Sequence, residues 1–168
     1  MAAIGTVLEL LDAGSHVVAM HDLYGGSYRI LERVRKRSAN ITSTFVDLTS
    51  VENLEKAIRP DTRMVWVESP TNPMLKIVDL KAIAALARRH KLLSVCDNTF
   101  ASPWIQRPLE HGFDIVVHST TKYINGHSDV IGGSAVVQDD EWKEKLSFLQ
   151  NAVGSVPSPF DCFLTLRG

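Results

Sequence analysis

The chain has 168 residues, 45% of them hydrophobic, enough for one folded domain with a real core and too apolar for a disordered segment. Its 18 basic and 19 acidic side chains leave a net charge of −1 with no long run of either sign, so nothing indicates nucleic acid or a polyanionic surface as partner. Cys96 and Cys162 are too few and too far apart for a disulfide framework or a zinc site, and the six histidines lack metal-ligand spacing, so no metal is expected.

The opening from Met1 to Leu11 is apolar but contains Glu9, has no basic leader and is too short to span a bilayer, which together with the cysteine usage leads us to expect a cytoplasmic protein. Residues 2 to 13 are helix-like and stop at Ala13-Gly14. His16 to Met20 reads as a buried strand, and Ser27 to Arg37, with Ile30, Leu31 and Val34 among basic residues, as a surface helix. Ile41 to Val46 is the next strand. Thr49 with Glu52 three residues on suggests a capping box, after which Val51, Leu54 and Ile58 share a helical face. Met64 to Val67 is again strand. Asp79 is placed to cap a helix with Leu80, Ile83, Ala84 and Ala87 as its buried stripe and Arg88 and Arg89 at its end. Strands at Leu92 to Cys96, Asp114 to Val117 and Ile131 to Val137 follow, then a helix from Asp140 with Trp142, Leu146, Leu149 and Val153 on one side.

Strand and helix in regular alternation imply an α/β fold, a mainly parallel sheet with helices on both faces, because parallel neighbours need a crossover between them. Ligands of such sheets collect beyond the carboxyl ends of the strands. Tyr24, Asn72, Asp97 and the Ser119 to Lys122 group all follow predicted strands, and no GxGxxG or Walker sequence competes for that edge. An amine able to form a Schiff base (Lys122), hydroxyls able to hold a phosphate (Ser119, Thr121) and a carboxylate able to hold a pyridinium proton (Asp97) together describe a pyridoxal phosphate site.

Four stretches then carry a resemblance: Tyr24-Gly25-Gly26-Ser27-Tyr28-Arg29, Glu68-Ser69-Pro70-Thr71-Asn72-Pro73, Asp97-Asn98-Thr99-Phe100, and His118 through Asp129 around Lys122. In order and through essentially the whole chain, they are similar to the signatures of the cystathionine γ-synthase/γ-lyase family of pyridoxal phosphate enzymes. The resemblance implies the large cofactor domain of the aspartate-aminotransferase-like fold (fold type I) and a homotetramer of two catalytic dimers acting on a small sulfur-containing amino acid. It assigns Lys122 to the covalent cofactor bond and to proton transfer, a task that needs a neutral amine, which burial and the nearby cofactor would favour. It further assigns Asp97 to the ring nitrogen, Ser119 and Thr121 to the phosphate, Tyr24 to the ring face and to a proton of the incoming amine, and Asn72 to the phenolic oxygen. The backbone nitrogen of Met1 is expected near the phosphate.

Plainer readings stand beside these. A lysine beyond a strand is ordinarily a solvated charge, Asp97 before Asn98-Thr99 can begin a turn, Ser119, Thr121 and Asn72 can be loop residues, and Tyr24 can be a core aromatic at a helix entrance. Cys96, inside an apolar strand, reads as a buried hydrophobe rather than a nucleophile. The chain starts inside the expected phosphate motif and ends where a substrate-binding domain is expected, so we read it as residues 1–168 of an incomplete cofactor domain without N-terminal arm or C-terminal domain, inactive in isolation. Within the family, γ-lyase is favoured over γ-synthase by Leu149-Gln150-Asn151 and Val156 to Pro159, although Gly25-Gly26-Ser27-Tyr28-Arg29 suits synthases; a noncatalytic interaction module is the reading from another class. Methionine γ-lyases typically carry cysteine where this chain has Gly26, so cystathionine is expected as substrate in preference to methionine.

Overall fold

Val17 and Ala19 of the first strand pack into one apolar cluster and Val18 and Met20 into another, and Met64, Trp66 against Val65, Val67 repeat the split. Such runs are apolar at every position because both faces of the sheet are covered. The computed structural model describes residues 1–168 and gives the elements in this order: α1 Ala2–Leu8, β1 His16–Met20, then α2 Gly25–Arg29, a π-helical segment Ile30–Arg35 and α3 Lys36–Ala39 as one continuous helix, β2 Thr42–Val46, α4 Val51–Ala57 and β3 Thr62–Glu68. The second half is α5 Leu80–Arg89, β4 Leu93–Asp97, α6 Ser102–Ile105, a 3-10 turn Pro108–His111, β5 Ile115–His118, β6 Ser134–Val137, α7 Asp140–Val153 and α8 Pro159–Arg167.

The sheet runs β2-β1-β3-β4-β5-β6, parallel throughout except for β6, which returns antiparallel along β5. Helices α1 and α7, with Leu31 of the π-helical segment, cover one face; α4 and α5 cover the other. His16 shows how a polar residue enters this core. Its Nδ1 lies 2.7 Å from Thr62 Oγ1 and its Nε2 2.9 Å from Thr44 Oγ1, so both ring nitrogens are satisfied across three neighbouring strands.

Several expected boundaries move for identifiable reasons. The first helix ends at Leu8 rather than Ala13, because Leu10 and Leu11 donate to the carbonyls three residues back and the chain tightens into turns. The second starts at Gly25 and runs on to Ala39, where Asn40 adopts φ 53° and closes it. No capping box forms before α4: Ser50 is the N-cap residue, and Thr49 spends its N–H and hydroxyl on Asp47 Oδ1 at 3.1 and 2.7 Å. The last strand begins at Ser134, not Ile131, and Val153 at the end of α7 is exposed while Leu146 is buried. The short helices α6 and α8 and the 3-10 turn were not anticipated; α8 leaves Phe160, Phe163 and Leu166 exposed, so no inward-facing stripe marks it. Asp79 does cap α5, accepting from the Ala82 N–H at 3.0 Å. Asp79→Ala should therefore cost about 1 kcal/mol of stability, read as a lower urea midpoint at unchanged slope.

Candidate active site

The parallel strands deliver their carboxyl ends to one edge, and each expected site residue sits there. Beyond β1 the chain turns at Tyr24, the residue that starts α2, and the Tyr24 N–H donates to Glu68 Oε2 at 2.8 Å. Glu68 ends β3 and Asp97 ends β4, directly paired in the ladder. After β5 the chain bends through Ser119 to Lys122, whose backbone N–H donates to the Ser119 carbonyl at 3.1 Å. A crevice of about 690 Å³ lies over this edge, and Met1, Tyr24, Asn72, Asp97, Ser119, Thr121 and Lys122 all line it.

Asp97 performs the turn role and faces the crevice as well. Its Oδ1 accepts from the Thr99 N–H at 3.0 Å and from the Thr99 hydroxyl at 2.5 Å, while Thr99 Oγ1 in turn accepts the Ser119 N–H at 2.9 Å. One hydroxyl thus ties the carboxylate to the loop that carries Ser119 and Lys122. Burial raises the Asp97 carboxyl above its ordinary range, and the two Thr99 donors offset only part of that rise. Burial, then the Asp97 charge, pushes the Glu68 carboxyl up to about 8. Burial likewise holds the His118 imidazole below its usual range. Thr99→Val removes the O–H donor of Asp97 and the acceptor of Ser119 together. We expect about tenfold weaker pyridoxal phosphate binding in a spectroscopic titration.

The surroundings of two of these residues add a condition to their expected tasks. Lys122 is exposed at the crevice rather than buried, because the carboxyl edge of the sheet is open above it, so these residues do not themselves shield its amine. Thr121 is already engaged: its Oγ1 accepts from the Gly132 N–H at 2.9 Å and lies 3.2 Å from the Gly132 carbonyl, so its proton must turn away from Gly132 to reach a ligand. Glu68 and Thr99 lay inside the quoted sequence stretches without a role. Their signal was position alone, one at a strand end and one two residues past Asp97. Cys96 is fully buried, and burial drives its thiol far above the ordinary range, as a packed rather than reactive cysteine requires.

The donor set suits pyridoxal phosphate. One crevice brings together the Lys122 amine, two buried carboxylates, the hydroxyls of Thr99, Ser119 and Thr121 and the Tyr24 ring, and its wall where α1 meets the segment before β6 is close enough that a Cβ on Gly133 would lie 3.0 Å from Ala3 Cβ. The family of Cys/Met metabolism PLP-dependent enzymes matches residues 1–168. The chain belongs to that family. It is 59% identical over 169 residues to cystathionine β-lyase of Coxiella burnetii, covering 100% of this chain and 44% of that protein. It is 50% identical over 168 residues to cystathionine γ-lyase of Bacillus subtilis, again 100% of this chain and 44% of the relative. A crystal structure of cystathionine γ-lyase from Lactobacillus plantarum complexed with L-serine superposes with a TM-score of 0.97 at 48% identity, covering 99% of this chain and 43% of that one. The chain therefore spans less than half the length of these relatives. Its fold is the aspartate-aminotransferase-like one, its family depends on pyridoxal phosphate, and no helix is long and apolar enough to cross a membrane.

Proposed function

We propose that this chain carries the cofactor-binding core of a cytoplasmic carbon–sulfur lyase that cleaves cystathionine by γ-elimination to cysteine, 2-oxobutyrate and ammonia, acting as a homotetramer. The observation that carries the reading is the convergence of Lys122, Asp97, Ser119 and Tyr24 on one crevice. Bound pyridoxal phosphate supplies an electron sink for negative charge developing at the substrate's α-carbon. Lys122 Nζ anchors the cofactor and, when free, is the base that moves the proton at that carbon. Asp97, steadied by both Thr99 donors, holds a proton on the ring nitrogen. Ser119, Thr121 once rotated, and the Met1 backbone nitrogen hold the phosphate, and Asn72 donates to the phenolic oxygen. Tyr24 covers the ring face and accepts a proton from the substrate amine.

A second reading, β-elimination to homocysteine, pyruvate and ammonia, is favoured by the 59% identity to a cystathionine β-lyase. Supplying cystathionine and identifying the oxo acid separates the two: 2-oxobutyrate supports the γ-reaction, and pyruvate alone replaces it with the β-reaction. Formation of cystathionine from an O-acylhomoserine and cysteine, without its cleavage, makes the protein a γ-synthase. Absence of all three activities in a pyridoxal phosphate-loaded full-length protein that carries this chain leaves the noncatalytic reading.

Gly26 bears on the choice of substrate. It is buried, and a Cβ there would collide with the Tyr24 ring and lie 2.7 Å from Met1 Sδ. Any side chain at this position must therefore push the Tyr24 ring aside. In a full-length protein that carries this chain, we expect Gly26→Cys to lower cystathionine turnover by about tenfold, and the unsubstituted form to prefer cystathionine over methionine by at least that factor. Faster methionine elimination by the unsubstituted protein would overturn the Gly26 argument.

A further inference from the structure

Two buried carboxylates, Glu68 at 5% and Asp97 at 7% exposure, end neighbouring parallel strands in direct register and line the same crevice. Paired carboxylates in a low-dielectric site do not both ionise cheaply, so one takes up a proton. The hydrogen bonds decide which. Asp97 accepts from two donors, the Thr99 N–H and hydroxyl. Asp22, the next carboxylate, also has two, the Thr71 hydroxyl and the Met74 N–H, the latter at 3.0 Å. Glu68 accepts from one, the Tyr24 N–H. It is the least supported anion of the three and lies where the other two repel it.

We propose that Glu68 is a positioning residue that stays neutral beside Asp97, fixing Tyr24 over the crevice through the Tyr24 N–H and leaving Asp97 as the one anion for the cofactor's ring nitrogen. The part concerning Asp97 rests on the cofactor assignment above; the tie to Tyr24 does not. The titratable groups around Glu68 are Asp97 and Cys96 on β4, Asp22 beyond β1, Tyr24 itself, and His118 and Lys122 at the end of β5 and beyond it. With the upward displacement of its carboxyl to about 8, Glu68 would be mostly protonated at neutral pH.

Glu68→Gln and Glu68→Met separate the roles, since glutamine is neutral and keeps an acceptor whereas methionine is neutral, of similar length and has none. Two readouts are needed: the amide signal and hydrogen exchange of Tyr24 in protein without cofactor, and the affinity for pyridoxal 5'-phosphate by absorbance titration. In the unsubstituted protein the Tyr24 amide signal should titrate with a midpoint near 8, and in Glu68→Gln it should not. Glu68→Gln should keep Tyr24 protection and bind cofactor within about twofold of the unsubstituted protein, while Glu68→Met should lose about tenfold in both. Loss of Tyr24 protection or of affinity in Glu68→Gln overturns the proposal even if Glu68→Met does not fold, and so does full retention of both in Glu68→Met. If the unsubstituted protein binds no pyridoxal phosphate, the cofactor assignment fails while the Tyr24 amide still decides the positioning role.

Discussion

In a catalytically competent protein that carries this chain, Lys122→Ala should abolish the lysine-linked visible absorption of pyridoxal phosphate and lower turnover by about 10²- to 10⁴-fold or more, the range expected for a lost general base. The expectation follows from position. Lys122 is the one lysine lining the crevice, in the same enclosure as Asp97 and Ser119, and the hydrogen bond from its backbone N–H to Ser119 fixes the turn that presents it. Lys76, by contrast, pairs with Asp47 at 2.6 Å, and Lys145 pairs with Glu141 on α7. Lys122→Arg is the informative control. It keeps a positive charge at the crevice but removes an amine that can form a Schiff base, so it should fail as completely as alanine if covalent attachment is the point, and only partly if charge alone matters. Borohydride reduction followed by mass spectrometry gives the attachment site directly. Pyridoxyl on a lysine other than 122 would overturn the assignment.

The parts of this site legible in the sequence were those with a strong local signature. The apolar run before Asp97 and the one before Ser119 specified strand ends, and the parallel sheet that those runs imply brought both to one edge. Asp79 announced a cap that the structure confirms in its bond to the Ala82 N–H. What stayed hidden depends on contacts between distant residues. Thr49 looked like the cap of α4 because its spacing to Glu52 fits, yet Asp47 competes for its hydroxyl, and no local rule ranks those partners. Glu68 reads as the polar end of a strand until β4 is laid beside β3 and Asp97 falls opposite it. The exposure of Lys122 was equally invisible, since the sequence pattern places a residue at a strand end without stating what covers it.

Stability against pH gives a second large effect, and its sign follows from Glu68. The folded-state carboxyl, at about 8, lies above the 4.5 of an unperturbed glutamate, so between those values the native state binds a proton that the unfolded chain has released. Raising pH through this window therefore favours unfolding. The contribution declines progressively from about pH 4.5 and is fully lost above the folded value. Asp97, also raised by burial, acts in the same sense starting from lower pH. His16 and His118, both lowered by burial, act oppositely, gaining stability as pH rises, but most of that gain is in place by about pH 7 and it is common to the unsubstituted chain and Glu68→Gln. Cys96, whose thiol is also raised by burial, lowers stability near the top of the pH 7 to 9 interval in any variant that keeps it, so Glu68 is read there from the difference between the unsubstituted chain and Glu68→Gln. Over that interval the unsubstituted chain should lose about 1.4 kcal/mol more than Glu68→Gln, measured as a falling urea midpoint. Glu68→Gln, which has no proton to lose at this position and keeps the acceptor for the Tyr24 N–H, should show only the smaller decline that Cys96 contributes. At pH 9 it should exceed the unsubstituted chain by up to about 4 kcal/mol, because it avoids a buried anion beside Asp97. A pH dependence as steep in Glu68→Gln as in the unsubstituted chain would place the titrating group elsewhere or show that Glu68 is already ionised at pH 7.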